Sequence, residues 1–198
     1  MASTSPAAFA PVAEGASRSV QVPDFEAVYD QSADYVWRAL RRLGVDESAA
    51  EDVFQEVFLV VHRRLHEFEG RSSLRTWIFG ILLRVVRNHK RALGRRRLDA
   101  GAKAEAALER APASDRGAPD ARVERAEAVR LLHEMLDCLD DDKREVFVMA
   151  ELEQLSGAEI ATVTGLNQRT VYARLKAARH QFNQAVARLQ ARRAWRTR

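Results

Sequence analysis

Apolar residues recur every three or four positions through most of this chain and nowhere alternate over the length of a strand, which commits it to helices packed on helices. From Asp24 onward, Phe25, Val28, Ser32, Val36, Ala39, Leu40 and Leu43 share one helical face, and Gly44 stops the helix. A second helix is predicted after Ser48, where Ser48-Ala49-Ala50-Glu51 has the form of a capping box; its core stripe is Ala50, Val53, Phe54, Val57, Val61 and Leu65. Gly70, Ser72 and Ser73 break the pattern. A third helix then runs from about Leu74 to Leu93, with Leu74, Trp77, Ile78, Ile81, Leu82 and Val85 facing inward. The three make one small bundle.

Residues 94 to about 125 keep no long apolar stripe and hold Ala111-Pro112 and Gly117-Ala118-Pro119, the composition of a linker with at most a helical turn or two. Val129, Leu132, Met135, Leu136 and Leu139 predict a helix ending at Asp140-Asp141-Asp142. Asp142-Lys143-Arg144-Glu145 resembles the cap of the next, which continues through Val146, Phe147, Met149 and Leu152. Ser156 and Glu159 form a second capping box, and in the tight turn Thr164-Gly165-Leu166-Asn167 the glycine is free to take positive φ while Asn167 caps a helix from Gln168. Ala161, Gly165 and Val171 then occupy the small, turn and core positions of a helix-turn-helix. Its second helix would offer Gln168, Arg169, Thr170, Tyr172, Ala173 and Lys176 to base edges, keep Val171 and Leu175 inside, and leave Arg174 and Arg179 for phosphates. The predicted fold is all-α: two small helical bundles joined by a flexible linker, the C-terminal one containing the helix-turn-helix. The expected boundaries are a disordered tail over 1–22, a first bundle over 23–98, a linker over 99–127, a second bundle over 128–191 and a basic tail over 192–198.

Charge separates along the chain far more than its total of +4 suggests. Residues 70–98 carry nine Lys and Arg and no acid, and residues 160–198 carry nine more, again with no acid. The rest of the chain holds 14 bases and all 28 acids, net −14. A single basic run is ordinarily a solvated helix face; two, each built into an amphipathic helix, point to two contacts with a polyanion. On the third helix Arg84, Arg87, Asn88 and Arg91 fall on one stripe, suited to backbone phosphates. Just before it lies a polar loop, Phe68-Glu69-Gly70-Arg71-Ser72-Ser73, followed by Trp77. Loops of this kind hold extruded bases, because stacking and hydrogen bonding offset the loss of base stacking. Taken alone, Phe68 and Trp77 read as core residues. On the second helix Leu59 projects opposite the core and Phe58 sits at the stripe's edge beside Gln55 and His62, so either protein docking or burial within the bundle would satisfy them.

Several classes are set aside. The single cysteine, Cys138, excludes an intramolecular disulfide framework, reads as a small core residue, and suits a reducing cytoplasm. No apolar run approaches the roughly 18 residues of a membrane span, so no membrane insertion is expected, and no secretion signal opens the chain. His62 and His66 stand one turn apart without a third ligand at a recognised spacing, and the Asp140–Asp142 cluster reads as a capped turn, so neither metal nor cofactor is expected. No phosphate-cradling glycine loop or nucleophile elbow supports catalysis.

Five short runs occur in an order and spacing that resembles the extracytoplasmic-function (ECF) group of bacterial RNA polymerase sigma factors in the sigma-70 family. They are Ala50-Glu51-Asp52-Val53-Phe54-Gln55-Glu56-Val57-Phe58, Arg71-Ser72-Ser73-Leu74-Arg75-Thr76-Trp77, Arg144-Glu145-Val146-Phe147, Leu155-Ser156-Gly157-Ala158-Glu159-Ile160-Ala161, and Thr170-Val171. The resemblance implies that the first bundle (sigma domain 2) docks on the β′ clamp of core RNA polymerase through Asp52, Gln55, Glu56, Phe58 and His62, with Leu59 on the same helix. It implies that loop 68–73 captures a flipped base of the −10 element, with Arg75, Trp77 and the third-helix stripe on adjoining DNA. The second bundle (sigma domain 4) would read the −35 element as duplex beside the β flap, and the linker, net −2 over 99–127, would thread toward the active site. An anti-sigma protein is a further expected partner.

Departures from the family limit specificity: Leu83-Arg84 stands where many relatives have Arg-Asn, and Arg169-Thr170-Val171-Tyr172-Ala173-Arg174 replaces a common Gly-Thr-Val-Lys-Ser-Arg run. The Asp cluster replaces prolines usual before Arg144. The rival reading from another class is a stand-alone dimeric helix-turn-helix regulator; loop 68–73 with its basic helix is what such a duplex binder does not need. An RNA-binding protein would leave the helix-turn-helix unexplained.

Overall fold

A computed structural model describes residues 23–99 and 119–196. The expected tail 1–22 and the segment 100–118 lie outside the described residues. Helix α1 spans Phe25–Arg42, with the Asp24 carboxylate accepting from the N–H groups of Glu26 and Ala27. It ends where Gly44 takes φ +80, a left-handed turn that a side chain would strain. Helix α2 spans Glu47–Arg64. Asp46, not Ser48, holds its N-cap position, so the capping box expected at Ser48–Glu51 does not form there. After a 3-10 turn over Leu65–Glu67, α3 runs Leu74–Asp99, a turn and a half beyond the expected end at Leu93: the helix carries on through Gly94, and the Arg95-Arg96-Arg97-Leu98 that follow are good helix formers. Val36, Leu40, Val53, Val57, Ile78 and Leu82 are fully buried where α1, α2 and α3 meet; Phe54, Leu74 and Trp77 are half-buried at the edge.

Helix α4 spans Pro119–Leu136, starting inside the segment read as linker; proline suits a first helical turn because it has no N–H to leave unpaired. Helix α5 spans Asp141–Phe147, capped by Asp140, which accepts from the Lys143 N–H. The cap thus falls two residues before the expected Asp142. The helix widens into a π turn over Val148–Leu152, with Glu153 N–H reaching the Val148 carbonyl at 3.0 Å, and the corner closes with Gln154 at φ 58. Helices α6 (Gly157–Thr164) and α7 (Gln168–Arg196) follow, α7 continuing through most of the segment expected as a basic tail. Cys138, expected in the core, is exposed in the α4–α5 turn, its thiol 2.8 Å from the Met135 carbonyl.

The two bundles pack against each other, where separate units on a tether were expected. Arg144, buried in the second bundle, donates to the Leu136 carbonyl at 2.9 Å and pairs with Asp137 at 2.5 Å, satisfying the open end of α4. Its guanidinium also lies against Gly44 of the first bundle, so closely that a Cβ at 44 would come within 2.0 Å of it. Gly80 of α3 faces Val163 of α6. Charge contributes to this packing: α3 carries no acid before Asp99, and Glu145 and Glu153 of the second bundle pair with its Arg87 and Arg75.

Candidate nucleic-acid interface

The helix-turn-helix is built by its caps. Ser156 accepts from the Glu159 N–H at 3.3 Å while the Glu159 carboxylate accepts from the Ser156 N–H at 2.8 Å, and the Ser156 hydroxyl bond together with that N–H holds the Glu159 carboxyl below the usual range. Gly165 takes φ 74, and Asn167 Oδ1 accepts from the Thr170 N–H at 2.8 Å, starting α7 as the spacing predicts. Val171, Leu175 and Ala178 are buried, which turns Gln168, Arg169, Tyr172, Ala173 and Lys176 outward and leaves Thr170 half-buried. Tyr172 is 58% exposed, and its ring rests over Gly157: a Cβ there would lie 2.7 Å from the phenol oxygen. That seat was missed from sequence, although a glycine at the first position of α6 was its signal. Arg174 and Arg179, expected on phosphates, carry ion pairs within their own bundle, to Asp142 and Glu151, each at 2.7 Å.

In the first bundle, Phe68 and Trp77 meet edge to face at 5.6 Å, both half-buried. Between them Gly70 turns at φ 69, and Glu69, Arg71 and Ser72 are exposed, Arg71 pairing with Glu69 at 2.8 Å. Ser73 has a structural part, accepting from the Thr76 N–H at 3.0 Å and so capping α3. Arg84, Asn88 and Arg91 are exposed on α3, with Arg91 donating to Asn88 at 2.9 Å. Arg71, Ser72, Trp77 and Arg84 line one side of a cleft of about 370 Å³ whose other side is Ala158 and Thr162 of α6.

Three other basic groups of α3, Arg75, Arg87 and Lys90, face the second bundle. Arg87 grips the Glu145 carboxylate with two nitrogens, at 3.0 and 2.5 Å, which raises the guanidinium pKa further. Lys90 donates to the Leu43 carbonyl at 2.8 Å and pairs with Asp141. Glu153, its side chain 2% exposed, bridges Arg42 at 3.1 Å and Arg75 at 2.8 Å. Arg75 in turn lies 4.1 Å over the Tyr35 ring, whose hydroxyl is pushed far above its ordinary pKa by burial and by the Glu153 charge.

On the outer face of α2, Asp52, Gln55, Glu56, Leu59 and His62 are exposed, Leu59 at 56%. Phe58, expected at the edge, is buried beneath them, ringed by Tyr29 at 4.7 Å and Phe54 at 4.9 Å. Exposed Tyr29 and Trp37 of α1 extend this face beside Phe54. They were missed, although Phe25, Tyr29, Ala33 and Trp37 recur every fourth residue, a second apolar stripe beside the core one. Among the described residues, no helix is long and apolar enough to cross a membrane.

These surfaces define an all-helical protein of two bundles, the second carrying a helix-turn-helix. Residues 28–96 match the family described as sigma-70 region 2, and residues 130–182 match sigma-70 region 4. The chain belongs to the sigma-70 family, in its ECF group. It is 34% identical to RNA polymerase sigma-H factor of Pseudomonas aeruginosa over 71% of this chain and 75% of that one. It shares the fold of the sigma factor RpoE of Bartonella quintana, solved with the anti-sigma factor NepR, at 22% identity and a TM-score of 0.67 over 83% of this chain and 97% of that one. CnrH of Cupriavidus metallidurans is 31% identical over 72% of this chain and 75% of its own. A structure of CnrH with the cytosolic domain of CnrY matches at 25% identity and a TM-score of 0.56, covering 84% of this chain and 88% of that one.

Proposed function

We infer that this chain is a promoter-specificity subunit of the cytoplasm that does no chemistry itself: it binds core RNA polymerase, selects promoters through −10 and −35 elements, and helps open them. The observation that carries this is the pairing, in one chain, of a first bundle bearing loop 68–73 and a basic helix with an outward-facing helix-turn-helix surface (Gln168, Arg169, Tyr172, Lys176) in the second, in the order of sigma-70 regions 2 and 4. Duplex contacts at −35 fall to α7, with discrimination of about 1–3 kcal/mol per wrong base pair. The −10 strand falls to loop 68–73, where an extruded base can meet the polar rim and Trp77, with Arg75, Arg84, Arg87, Asn88 and Arg91 on its phosphates. The α2 face with Asp52, Gln55, Glu56, Leu59 and His62, stiffened by Phe58, docks on the β′ clamp, and the second bundle rests on the β flap. An anti-sigma protein, as in the complexes of RpoE with NepR, is the expected antagonist.

Transcription from a promoter library by purified core polymerase, with and without this chain, tests the reading. Initiation confined to promoters sharing −10 and −35 sequences is expected. Tight binding to a duplex operator by the chain alone, with no stimulation of core, would favour a stand-alone regulator.

A further inference from the structure

We propose that Gly157 is a positioning residue for base recognition: by leaving room at the start of α6 it seats the Tyr172 ring across the helix-turn-helix, where the ring's exposed carbon flank reads the methyl group of one thymine in the bound duplex. This deepens the promoter-specificity reading and rests on it for the identity of that duplex, the −35 element.

Three observations carry it. First, the contact is close and specific. A Cβ at position 157 would lie 2.7 Å from the Tyr172 phenol oxygen, 2.8 Å from Cζ and 3.2 Å from Cε1, so the far end of the ring lies directly on the glycine. Any side chain there would push the ring off. Second, room for the ring is the demand this glycine answers. Gly44, Gly70 and Gly165 take positive φ; Gly157 does not, so its backbone would accept any ordinary residue, and alanine is the better helix former. The atoms in the way are the free end of a side chain, so the ring can swing aside without disturbing α6 or the turn. Third, the seat falls at the centre of the reading face. Gln168, Tyr172 and Lys176 follow one another at i, i+4 and i+8, all exposed, so the ring lies between the other two. Val171 and Leu175, both buried, fix the rotation of α7, and Tyr172 stays 58% exposed. With its hydroxyl end drawn back over α6, the tyrosine offers the groove carbon rather than a hydrogen-bonding group. In the major groove the base feature that carbon recognises is the thymine methyl. Gln168 and Lys176, to either side, keep their polar ends for hydrogen bonds to neighbouring bases.

The test presents the full chain, with and without core polymerase, with a pool of randomised duplexes; the bound sequences define its motif. Each thymine of that motif is then replaced in turn by deoxyuridine, which removes the methyl group and nothing else. One replacement should weaken wild-type binding about fourfold, the worth of one buried methyl. Gly157→Ala and Tyr172→Ala should each abolish that loss, and Tyr172→Phe should keep it. Gly157→Ala added to Tyr172→Ala should change nothing further, because the first substitution acts only through the ring. A merely structural part for Gly157 would instead show as lost stability, so the urea midpoint of Gly157→Ala should not fall below that of wild type. No motif, a motif without such a thymine, a methyl effect that survives Tyr172→Ala, or a Gly157→Ala protein that still discriminates would overturn the assignment. Transcription from the selected sequences by core polymerase is scored separately: its absence would sink the promoter-specificity reading, while the pool and the deoxyuridine series would still judge the seat.

Discussion

The two acid-free basic runs look alike in sequence, nine bases each, yet the fold treats them differently. On α3, Arg75, Arg87 and Lys90 are answered by acids 78, 58 and 51 residues away in the other bundle. On α7, Arg174 and Arg179 are answered from within their own bundle, and Arg169 and Lys176 face outward beside Tyr172. A basic stripe therefore reports the sign of its partner, not which partner holds it. Three bases of the α3 run are held by the other bundle while Arg84 and Arg91 stay exposed, and on α7 the pairs are local and the outer face is open.

The largest expected effect sharpens that contrast. Arg87→Glu sets like charges together at Glu145, whose side chain is 9% exposed, and should cost the inter-bundle contact about 2–3 kcal/mol. Arg179→Glu beside the better-solvated Glu151 should cost under about 1 kcal/mol. Calorimetry should show Arg87→Glu splitting one unfolding transition into two, with Arg179→Glu leaving it single; the reverse pattern would break the comparison. Next come the two left-handed glycines. Gly165→Ala, with nothing within 4 Å, should cost about 1 kcal/mol for its φ alone, whereas Gly44→Ala must also displace Arg144 and should lower the urea midpoint further.

On the open run, Tyr172→Ala or Lys176→Ala should shift −35 preference by about 1 kcal/mol at one or two base pairs, read from a promoter library. Leu59→Asp or Gln55→Ala should leave that preference intact and weaken core binding. A Tyr172→Ala protein with unchanged base preference would remove α7's face from recognition. The smallest effect is in pH. His133 of α4 is held below its ordinary pKa, mainly by burial, then by Arg41 of the first bundle, with Asp137 opposing and Arg144 and Arg42 adding. Its folded value lies below its unfolded one, near 6.5, so the folded state binds fewer protons. Stability should be full above about pH 6.5 and decline as the pH falls beneath it. His133→Gln should flatten that decline between pH 7 and 5; an unchanged slope would contradict it.

Much of this was legible in the sequence, for local reasons. The capping box at Ser156 and Glu159, the turn at Gly165 and the cap at Asn167 are set by residues within four positions, and each forms as its spacing predicts. The core stripes of α1, α2 and α3 follow from period alone. What sequence could not show depends on contacts distant along the chain. Nothing near Glu153 signals that it will meet Arg42 and Arg75, and nothing near Gly44 signals Arg144. The π turn that aims Glu153 has no composition of its own. Cys138 looked apolar and small, but the turn after α4 faces it to solvent. Phe58 was ambiguous because a stripe's edge is decided by the neighbouring helix, here by Tyr29 and Phe25 of α1.

The central claim is that one chain holds −10 and −35 DNA at the same time, with one bundle on each. Photo-cross-linking residues at Ser72 and at Tyr172, placed in the same chain and bound with core polymerase to a promoter taken from the library, measure it directly. The account predicts two cross-links on a single DNA molecule, Ser72 to the non-template strand at −10 and Tyr172 to duplex at −35, both dependent on core. Cross-links from both positions to one site, or a −35 cross-link alone that is indifferent to core, would contradict it.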